Sequence, residues 1–192
     1  MSALVFNERS WAIDLISEIN KIASGSTTSI KRASGESGLR TGTTTLFPDV
    51  ILHGDAGILQ GWELKLPDTN LHDTELLLNA TDKAELLGTN SFLVWNGREA
   101  ALWAKSKDDS TYKEIKTWLR AELTDRSLVE QKRAVWVSML QEILRDLEFF
   151  LTQGVISQQV STDVLDETFA SRLVEALYEP DAAALSESAV KD

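Results

Sequence analysis

Residues 46–67 contain two apolar segments joined by a four-residue turn, and this feature constrains the fold more than any other. The segments, Leu46–Leu52 and Ile58–Leu66, have the length and apolar content of β-strands. Between them lies Gly54-Asp55-Ala56-Gly57, in which aspartate favours a turn and glycine can take a positive φ. The sequence therefore predicts a β-hairpin at this position.

The hairpin register brings three ionisable side chains together on one face. If Asp55-Ala56-Gly57 forms the loop, Asp49 lies directly opposite Glu63, with Cβ atoms about 4.5–5.5 Å apart. Lys65 follows Glu63 by two residues, so the strand pleat returns it to the same face. The other face carries Trp62, Leu64 and Leu66.

This cluster of two acids and one amine suggests a metal site. Asp49 stands in an apolar segment typical of a strand covered on both faces, where an unpaired carboxylate is costly. Two adjacent carboxylates repel, and a hard divalent cation removes the repulsion. A lysine beside such a cation can orient or deprotonate a water, or neutralise charge that develops on phosphorus. The alternative is a solvated Glu–Lys strand face beside an aspartate at the hairpin end.

The same residues resemble the motif of the PD-(D/E)XK nuclease superfamily. Pro48-Asp49 and Glu63-Leu64-Lys65 match its two halves, and the resemblance covers about residues 7–105. It implies that Asp49 and Glu63 bind Mg²⁺ with the Leu64 carbonyl, and that Lys65 serves the attacking water. Mn²⁺ is expected to be able to replace Mg²⁺.

The longer stretches at 45–52 and 60–69 resemble the nuclease region at the start of restriction–modification proteins that carry a DNA methyltransferase downstream. This resemblance implies a DNA endonuclease that restricts foreign, for example phage, DNA. It also implies a downstream methyltransferase or specificity domain, or a separate subunit, that reads the target sequence. The chain itself carries no methyltransferase motif.

A third acid is predicted near the cluster. Residues 8–23 read as a helix capped by Asn7, with Glu8 in the middle of its apolar stripe. Many superfamily members carry a glutamate on this helix, so the resemblance supports a role for Glu8. The alternative is a first-turn glutamate favoured by the helix dipole. Glu36, in the following Gly/Ser/Thr-rich stretch, is the rival candidate.

A second helix follows the hairpin. Asp73 caps it, it runs to Leu87, and Gly88 ends it. Lys83 lies inside its apolar stripe. Either its amine meets a phosphate or its stem passes along the leucines into solvent.

Two further apolar runs around Asn96-Gly97 predict a type I′ hairpin. The crossover from the Glu63 strand through the second helix to Phe92–Trp95 makes a βαβ unit. The core order is then α-β-β-α-β-β. This order predicts an α/β, restriction-endonuclease-like core, in which helices flank a central mixed sheet.

Beyond the core, the sequence divides into three parts. We expect the nuclease core over residues 1–125, with Thr111–Leu123 as a short closing helix. Residues 126–180 predict a helical connector or a dimerisation hairpin, in which Leu128–Gln153 is one long helix. Residues 181–192 predict a flexible acidic tail.

The distribution of charge along the chain indicates how strongly this chain can bind DNA. The net charge is −11, but residues 1–121 carry 13 basic and 16 acidic residues, against 6 and 14 in residues 122–192. Acidic surface opposes DNA binding, so we expect a cleavage module whose DNA affinity comes largely from elsewhere. The chain has no cysteine and two histidines, which disfavours thiolate and histidine metal sites. It lacks an apolar span and a basic leader, which predicts a cytoplasmic protein.

Two functions of different classes follow. The first is a Mg²⁺-dependent endodeoxyribonuclease. The second is a non-catalytic interaction module that binds partner helices through residues 128–178 and in which Asp49, Glu63 and Lys65 form an internal ion network.

Overall fold

A mixed six-stranded β-sheet forms the centre of the fold. The computed structural model describes residues 6–35, 40–41, 44–45, 48–108 and 110–158, all within one compact unit. The helices are α1 (Glu8–Ser24), α2 (Thr74–Leu87), α3 (Arg126–Gln131) and α4 (Arg133–Thr152). The strands are β1 (Arg32–Ser34), β2 (Arg40–Thr41), β3 (Thr44–Thr45), β4 (Val50–His53), β5 (Ile58–Leu64), β6 (Ser91–Trp95), β7 (Glu99–Lys105) and β8 (Tyr112–Leu119).

The sheet has the order β1-β4-β5-β6-β7-β8, and β2 and β3 form a separate two-stranded ladder. Strands β5 and β6 are parallel, whereas the other neighbours in the six-stranded sheet are antiparallel. The parallel pair is joined by α2, as a βαβ crossover requires. The predicted α-β-β-α-β-β core and its mixed sheet are therefore confirmed.

Helices cover the sheet on both faces. Successive side chains of β6 point to opposite faces, so Leu93 and Trp95 join a cluster with α1 and α4. Phe92 and Val94 join a second cluster with α2. The same alternation in β5 sends Trp62 to the α1 side, which leaves Glu63 on the α2 side.

Both helices next to the hairpin have well-defined ends. Asn7 caps α1, because its side chain accepts from the Ser10 N–H while the Ser10 hydroxyl accepts from the Asn7 N–H. Asp73 caps α2, and Gly88 ends it in the left-handed conformation with φ 67°. The predicted limits of α2 are confirmed.

The β6–β7 hairpin forms where it was predicted, but its turn is displaced by one residue. Asn96 N–H donates to the Glu99 carbonyl at 3.0 Å, so Gly97 and Arg98 are the two central residues. Gly97 has φ 85°, whereas Arg98 has no positive φ. This is the pattern of a type II′ turn rather than the predicted type I′. Asn96 precedes the two central residues of the turn because its side-chain oxygen accepts from the N–H groups of Arg98 and Glu99.

The prediction of a helix over Thr111–Leu123 is wrong. This segment forms the edge strand β8, paired antiparallel with β7. Its aromatic and β-branched residues favour a strand, and Lys113 and Lys116 suit an exposed sheet edge. Trp118 Nε1 donates to Asp146 of α4 at 2.9 Å, which attaches the strand to the helix behind it.

The helix predicted over Leu128–Gln153 is divided in two. Lys132, with φ −100° and ψ 49°, separates α3 from α4. The carbonyl of Val129 accepts a hydrogen bond from Trp136 Nε1 at 3.1 Å, which compensates for the interrupted helix ladder. Buried residues of α4 share the main hydrophobic cluster with α1 and the sheet. The role of this segment as connector or dimerisation hairpin stays a prediction, and the following helix and the tail lie outside the described residues.

Within the described ranges, no helix combines the length and the apolar content needed to cross a membrane.

The turn at Gly97 provides a stability test. A Cβ atom at Gly97 would lie 2.8 Å from Val129 Cγ2 in a backbone with positive φ, whereas Gly154, with φ 66°, has no atom within 4 Å. We expect Gly97→Ala to lower the free energy of unfolding by about 2–3 kcal/mol through strain and overpacking. Gly154→Ala, the matched control, should lose about 1 kcal/mol through strain alone. Urea unfolding measures both, and equal losses would refute the contribution of Val129.

Candidate active site

The β4–β5 hairpin positions the predicted acids. Val50 pairs with Trp62 and Ile51 with Gly61, as the predicted register requires, but an irregularity after Leu52 makes His53 pair with Ile58. Asp49 stands immediately before β4. Its N–H donates to the Trp62 carbonyl at 3.0 Å.

The Asp49 carboxylate is fixed by the backbone of β5. Its Oδ2 atom accepts from the Leu64 N–H at 2.7 Å. Asp49 therefore contacts both chain neighbours of Glu63, through the Trp62 carbonyl and the Leu64 amide. The structure brings the two acids together at the end of β5, although the ladder itself starts one residue after Asp49.

Glu63 is buried and paired with Lys83. Its Oε1 atom accepts from Lys83 Nζ at 2.6 Å, and the two side chains are only 5% and 10% exposed. Burial raises the pKa of Glu63, and Asp49 adds to the rise, while Lys83 and Lys65 oppose it. Lys83 thus contacts an acid, which neither of the two sequence-based interpretations of Lys83 included. Its place inside an apolar helical stripe was the available signal.

Lys65 leaves the sheet just after β5. Its N–H donates to the Trp95 carbonyl at 2.8 Å, which anchors the backbone. Its Nζ atom donates to the Leu64 carbonyl at 3.1 Å and lies 3.9 Å from Glu8 Oε2. Its side chain is 31% exposed, so Lys65 is partly accessible to solvent.

Glu8, the candidate third acid, contacts the amine. It is the first residue of α1, and its side chain is 40% exposed. Among the described residues no group of three or more His, Asp or Glu side chains is placed to hold a metal ion, so Glu8 does not join Asp49 and Glu63 in such a group. Glu36 lies outside the described residues. The assignment of either residue as the extra acid stays a prediction.

An open cavity of about 400 Å³ borders Asp49. It lies between α1 and the end of β1, and its other lining residues are Arg9, Ala12, Ile13, Ile16, Ser34 and Gly35. Arg9 is exposed and forms no ion pair with the described part of the chain. Sequence reasoning overlooked Arg9, although its position beside Glu8 at the start of a helix was visible.

The donor set suits a hard divalent cation. It consists of the carboxylates of Asp49 and Glu63 and the carbonyl of Leu64, and such oxygen ligands are preferred by Mg²⁺, Mn²⁺ and Ca²⁺. In the described structure each carboxylate has one oxygen in a hydrogen bond with the protein. The structure brings Asp49, Glu63, Leu64 and Lys65 together. Their roles in metal binding and catalysis stay predictions.

The buried pair gives a pH-dependent prediction. A carboxyl with a higher pKa in the folded than in the unfolded state stabilises the fold most below its ordinary value of 4.5. This contribution is lost as the pH rises through the folded pKa. Lys83→Met removes the partner of Glu63 and raises that pKa further. We expect a loss of about 3–5 kcal/mol in unfolding free energy at pH 8, and a smaller loss at pH 5, where the carboxyl is more readily protonated.

Urea unfolding at the two pH values measures the effect. Lys105→Met is the matched control, because Lys105 pairs with Glu85 of the same helix in a more exposed position. Its loss should be below about 1 kcal/mol at both pH values. An equal loss at pH 5 and pH 8 for Lys83→Met would contradict a raised pKa of Glu63.

Two solved structures are among those to which this chain is similar. The type IIG restriction endonuclease BpuSI is 12% identical with a TM-score of 0.50, and the match covers 84% of this chain and 19% of that chain. DrdV in a DrdV–DNA complex is 16% identical with a TM-score of 0.43, covering 66% and 11%. This chain thus spans about a fifth or less of the length of either protein.

No protein-family model and no curated protein sequence matches the chain. The structural likeness to BpuSI extends over most of this chain at very low identity, so it bears on the fold alone. Taken with the mixed sheet and the helices on both of its faces, it shows that this chain has a restriction-endonuclease-like fold.

Proposed function

We propose that the chain is a Mg²⁺-dependent endodeoxyribonuclease module that hydrolyses DNA phosphodiester bonds. The observation that carries the proposal is the convergence of Asp49, Glu63 and Lys65 at the end of β5. Asp49 contacts the chain neighbours of Glu63, and Lys65 Nζ lies on the Leu64 carbonyl. This combination of hard ligands and an amine is suited to phosphoryl chemistry.

The protein holds both acids before any ligand binds. The Leu64 N–H orients Asp49, and Lys83 orients Glu63. Oriented groups do not have to reorganise during the reaction, which is the main source of electrostatic catalysis. A divalent cation on Asp49, Glu63 and the Leu64 carbonyl would polarise the scissile phosphate and lower the pKa of a bound water.

Lys65 and Glu8 act on the water in this proposal. The Lys65 ammonium lies near Glu8, and in this proposal it leaves the Leu64 carbonyl to the cation and donates a hydrogen bond that aims the water oxygen at phosphorus. The ammonium also lies where negative charge develops on the phosphoryl oxygens.

The cavity beside Asp49 is the proposed approach for DNA. It is open to solvent, and Arg9 gives it a cationic border. Arginine suits phosphate because its planar fork donates two parallel hydrogen bonds. We infer that one strand of DNA passes along α1 with a phosphate near Arg9.

The remaining parts of the proposal concern partners. A chain with a net charge of −11 has little non-specific affinity for DNA. We propose that a downstream methyltransferase or specificity domain, or a separate subunit, supplies binding and target recognition, and that two copies of the chain pair to cut both strands. The setting would be the restriction of foreign DNA.

One observation favours the alternative of a non-catalytic interaction module. The Glu63–Lys83 pair is buried and charge-balanced, as expected for an internal ion network. In that case the acids would serve the fold alone and bind no cation. The two functions therefore differ in whether the wild-type chain binds a divalent cation.

The first test is the removal of the Lys65 amine. We expect Lys65→Ala to lower plasmid nicking in Mg²⁺ by about 10²- to 10⁴-fold, because the positioned proton donor is lost. Thermal stability should remain nearly unchanged, since the side chain is partly exposed. Lys116→Ala, another partly exposed lysine paired with an acid, is the control and should nick normally. Normal nicking by Lys65→Ala would remove this residue from the mechanism.

The second test separates the nuclease from the interaction module. In Asp49→Asn the amide oxygen can still accept from the Leu64 N–H, so the fold should persist while the charge is lost. We expect calorimetric titration with Mg²⁺ or Mn²⁺ to show binding to the wild type and at least about tenfold weaker binding to Asp49→Asn. Absence of binding to the wild type would favour the interaction module.

A further inference from the structure

Ile13 is an apolar side chain that lies in solvent beside the candidate active site. It is 63% exposed, the largest fraction among the exposed large hydrophobic residues of the described chain. A single exposed apolar residue is ordinary on a protein surface. The position of Ile13 is informative, however, because it lines the cavity that also borders Asp49. That cavity is not lined by the other members of this exposed set, which are Leu78, Leu119, Phe149 and Val155.

One wall of the cavity combines a cation with apolar side chains. Arg9 and Ile13 are four residues apart on α1, and Ile16 follows three residues later, so the three are neighbours on one side of the helix. The other wall is the end of β1 and the residue after it. There Gly35 lies so close to the helix that a Cβ atom on it would be 3.3 Å from Ile16 Cδ1. The cavity is therefore bounded by a partly apolar helix side and by the end of a strand.

The size of the cavity limits which part of DNA can enter it. Its volume of about 400 Å³ is near the lower end of the range for pockets that bind small organic molecules, about 300–1,000 Å³. Such a space can hold one nucleotide but not a base pair with both of its backbones. A paired nucleotide must leave the base stack to enter, whereas an unpaired nucleotide enters at a lower cost.

The lining residues suit the parts of one nucleotide. Apolar side chains such as Ile13 and Ile16 can contact the face of a base that has left the stack, and the Arg9 guanidinium can bind its phosphate. The lining offers little to distinguish one base from another, since the Ser34 hydroxyl is already in a hydrogen bond of 2.8 Å with His53 Nε2. Contacts to base faces tolerate any base, because every base has such a face.

We propose that the cavity beside Asp49 receives one unpaired nucleotide of DNA, with its base against Ile13 and Ile16 and its phosphate at Arg9. The chain would then cut preferentially next to an unpaired position. The inference rests on the proposed function, because it takes the Asp49 site as the place of cleavage. It adds a substrate class, DNA with an unpaired nucleotide, and it identifies Ile13 as a residue that determines this preference.

The test compares the nicking of two labelled duplexes of the same sequence by the full chain in Mg²⁺ at low salt. One duplex is fully paired, and the other carries a single unpaired nucleotide. We expect the wild type to nick the second duplex on the order of tenfold faster, at a phosphate next to the unpaired nucleotide, because a paired nucleotide must first leave the stack. The preference should persist when the unpaired base is changed to each of the others.

Variants of Ile13 test whether the cavity causes this preference. In Ile13→Ala the ratio of the two rates should fall by at least about threefold, because apolar contact with the base is lost. In Ile13→Phe the ratio should rise, because an aromatic ring stacks on a base. Both variants should fold, since the side chain is exposed. Leu78→Ala is the matched control. Leu78 is 60% exposed on α2 and does not line this cavity, so both rates should equal those of the wild type.

The outcomes separate this inference from the nuclease proposal. Equal nicking of the two duplexes by the wild type, or an unchanged ratio in Ile13→Ala, would overturn the role of the cavity and leave the nuclease proposal intact. A fall in the ratio for Leu78→Ala as large as that for Ile13→Ala would do the same. Absence of nicking of either duplex by the wild type would overturn both.

Discussion

The buried ion pair between Glu63 of β5 and Lys83 of α2 links the central strand to the helix that covers it. An acid inside the α2 face of the sheet needs a partner, and α2 supplies one from the middle of its buried stripe. Lys83 reaches Glu63 across the interface between α2 and the sheet, with Nζ 2.6 Å from Oε1. A buried ion pair of this kind contributes little net stability, because desolvation of both charges offsets their attraction.

The same pair explains how Asp49 and Glu63 can share a small space. Burial and, to a smaller extent, Asp49 raise the pKa of Glu63, whereas Lys83 and Lys65 lower it, so the two lysines offset part of the effect of burial and repulsion. The two lysines have different surroundings. Lys83 lies among the buried residues of α2, and Lys65 lies near Glu8. Lys83 is therefore buried in the core, whereas Lys65 is partly exposed. Both lysines lower the pKa of Glu63.

The sequence predicted most of the core and the convergence of the site, because both depend on short-range patterns. Period-two and helical apolar repeats and the caps at Asn7, Asp73 and Gly88 are local. The failures have non-local causes. The segment at 112–119 became a strand because β7 offered an edge, and the turn at Gly97 moved because Asn96 caps the hairpin with its side chain.

The pairing of Lys83 with Glu63 could not be read from the sequence, since 20 positions separate the two residues and the contact depends on how α2 lies on the sheet. The burial of Glu63 affects the stability of the folded state. In the absence of a cation, a buried Glu63 with a raised pKa makes the folded state less stable at neutral pH than it would be with the acid neutralised. Any ligand that binds the folded chain alone recovers part of that cost through linkage. In the proposed nuclease, the cost of burying Glu63 is therefore largest in the empty site and smaller once a cation is bound.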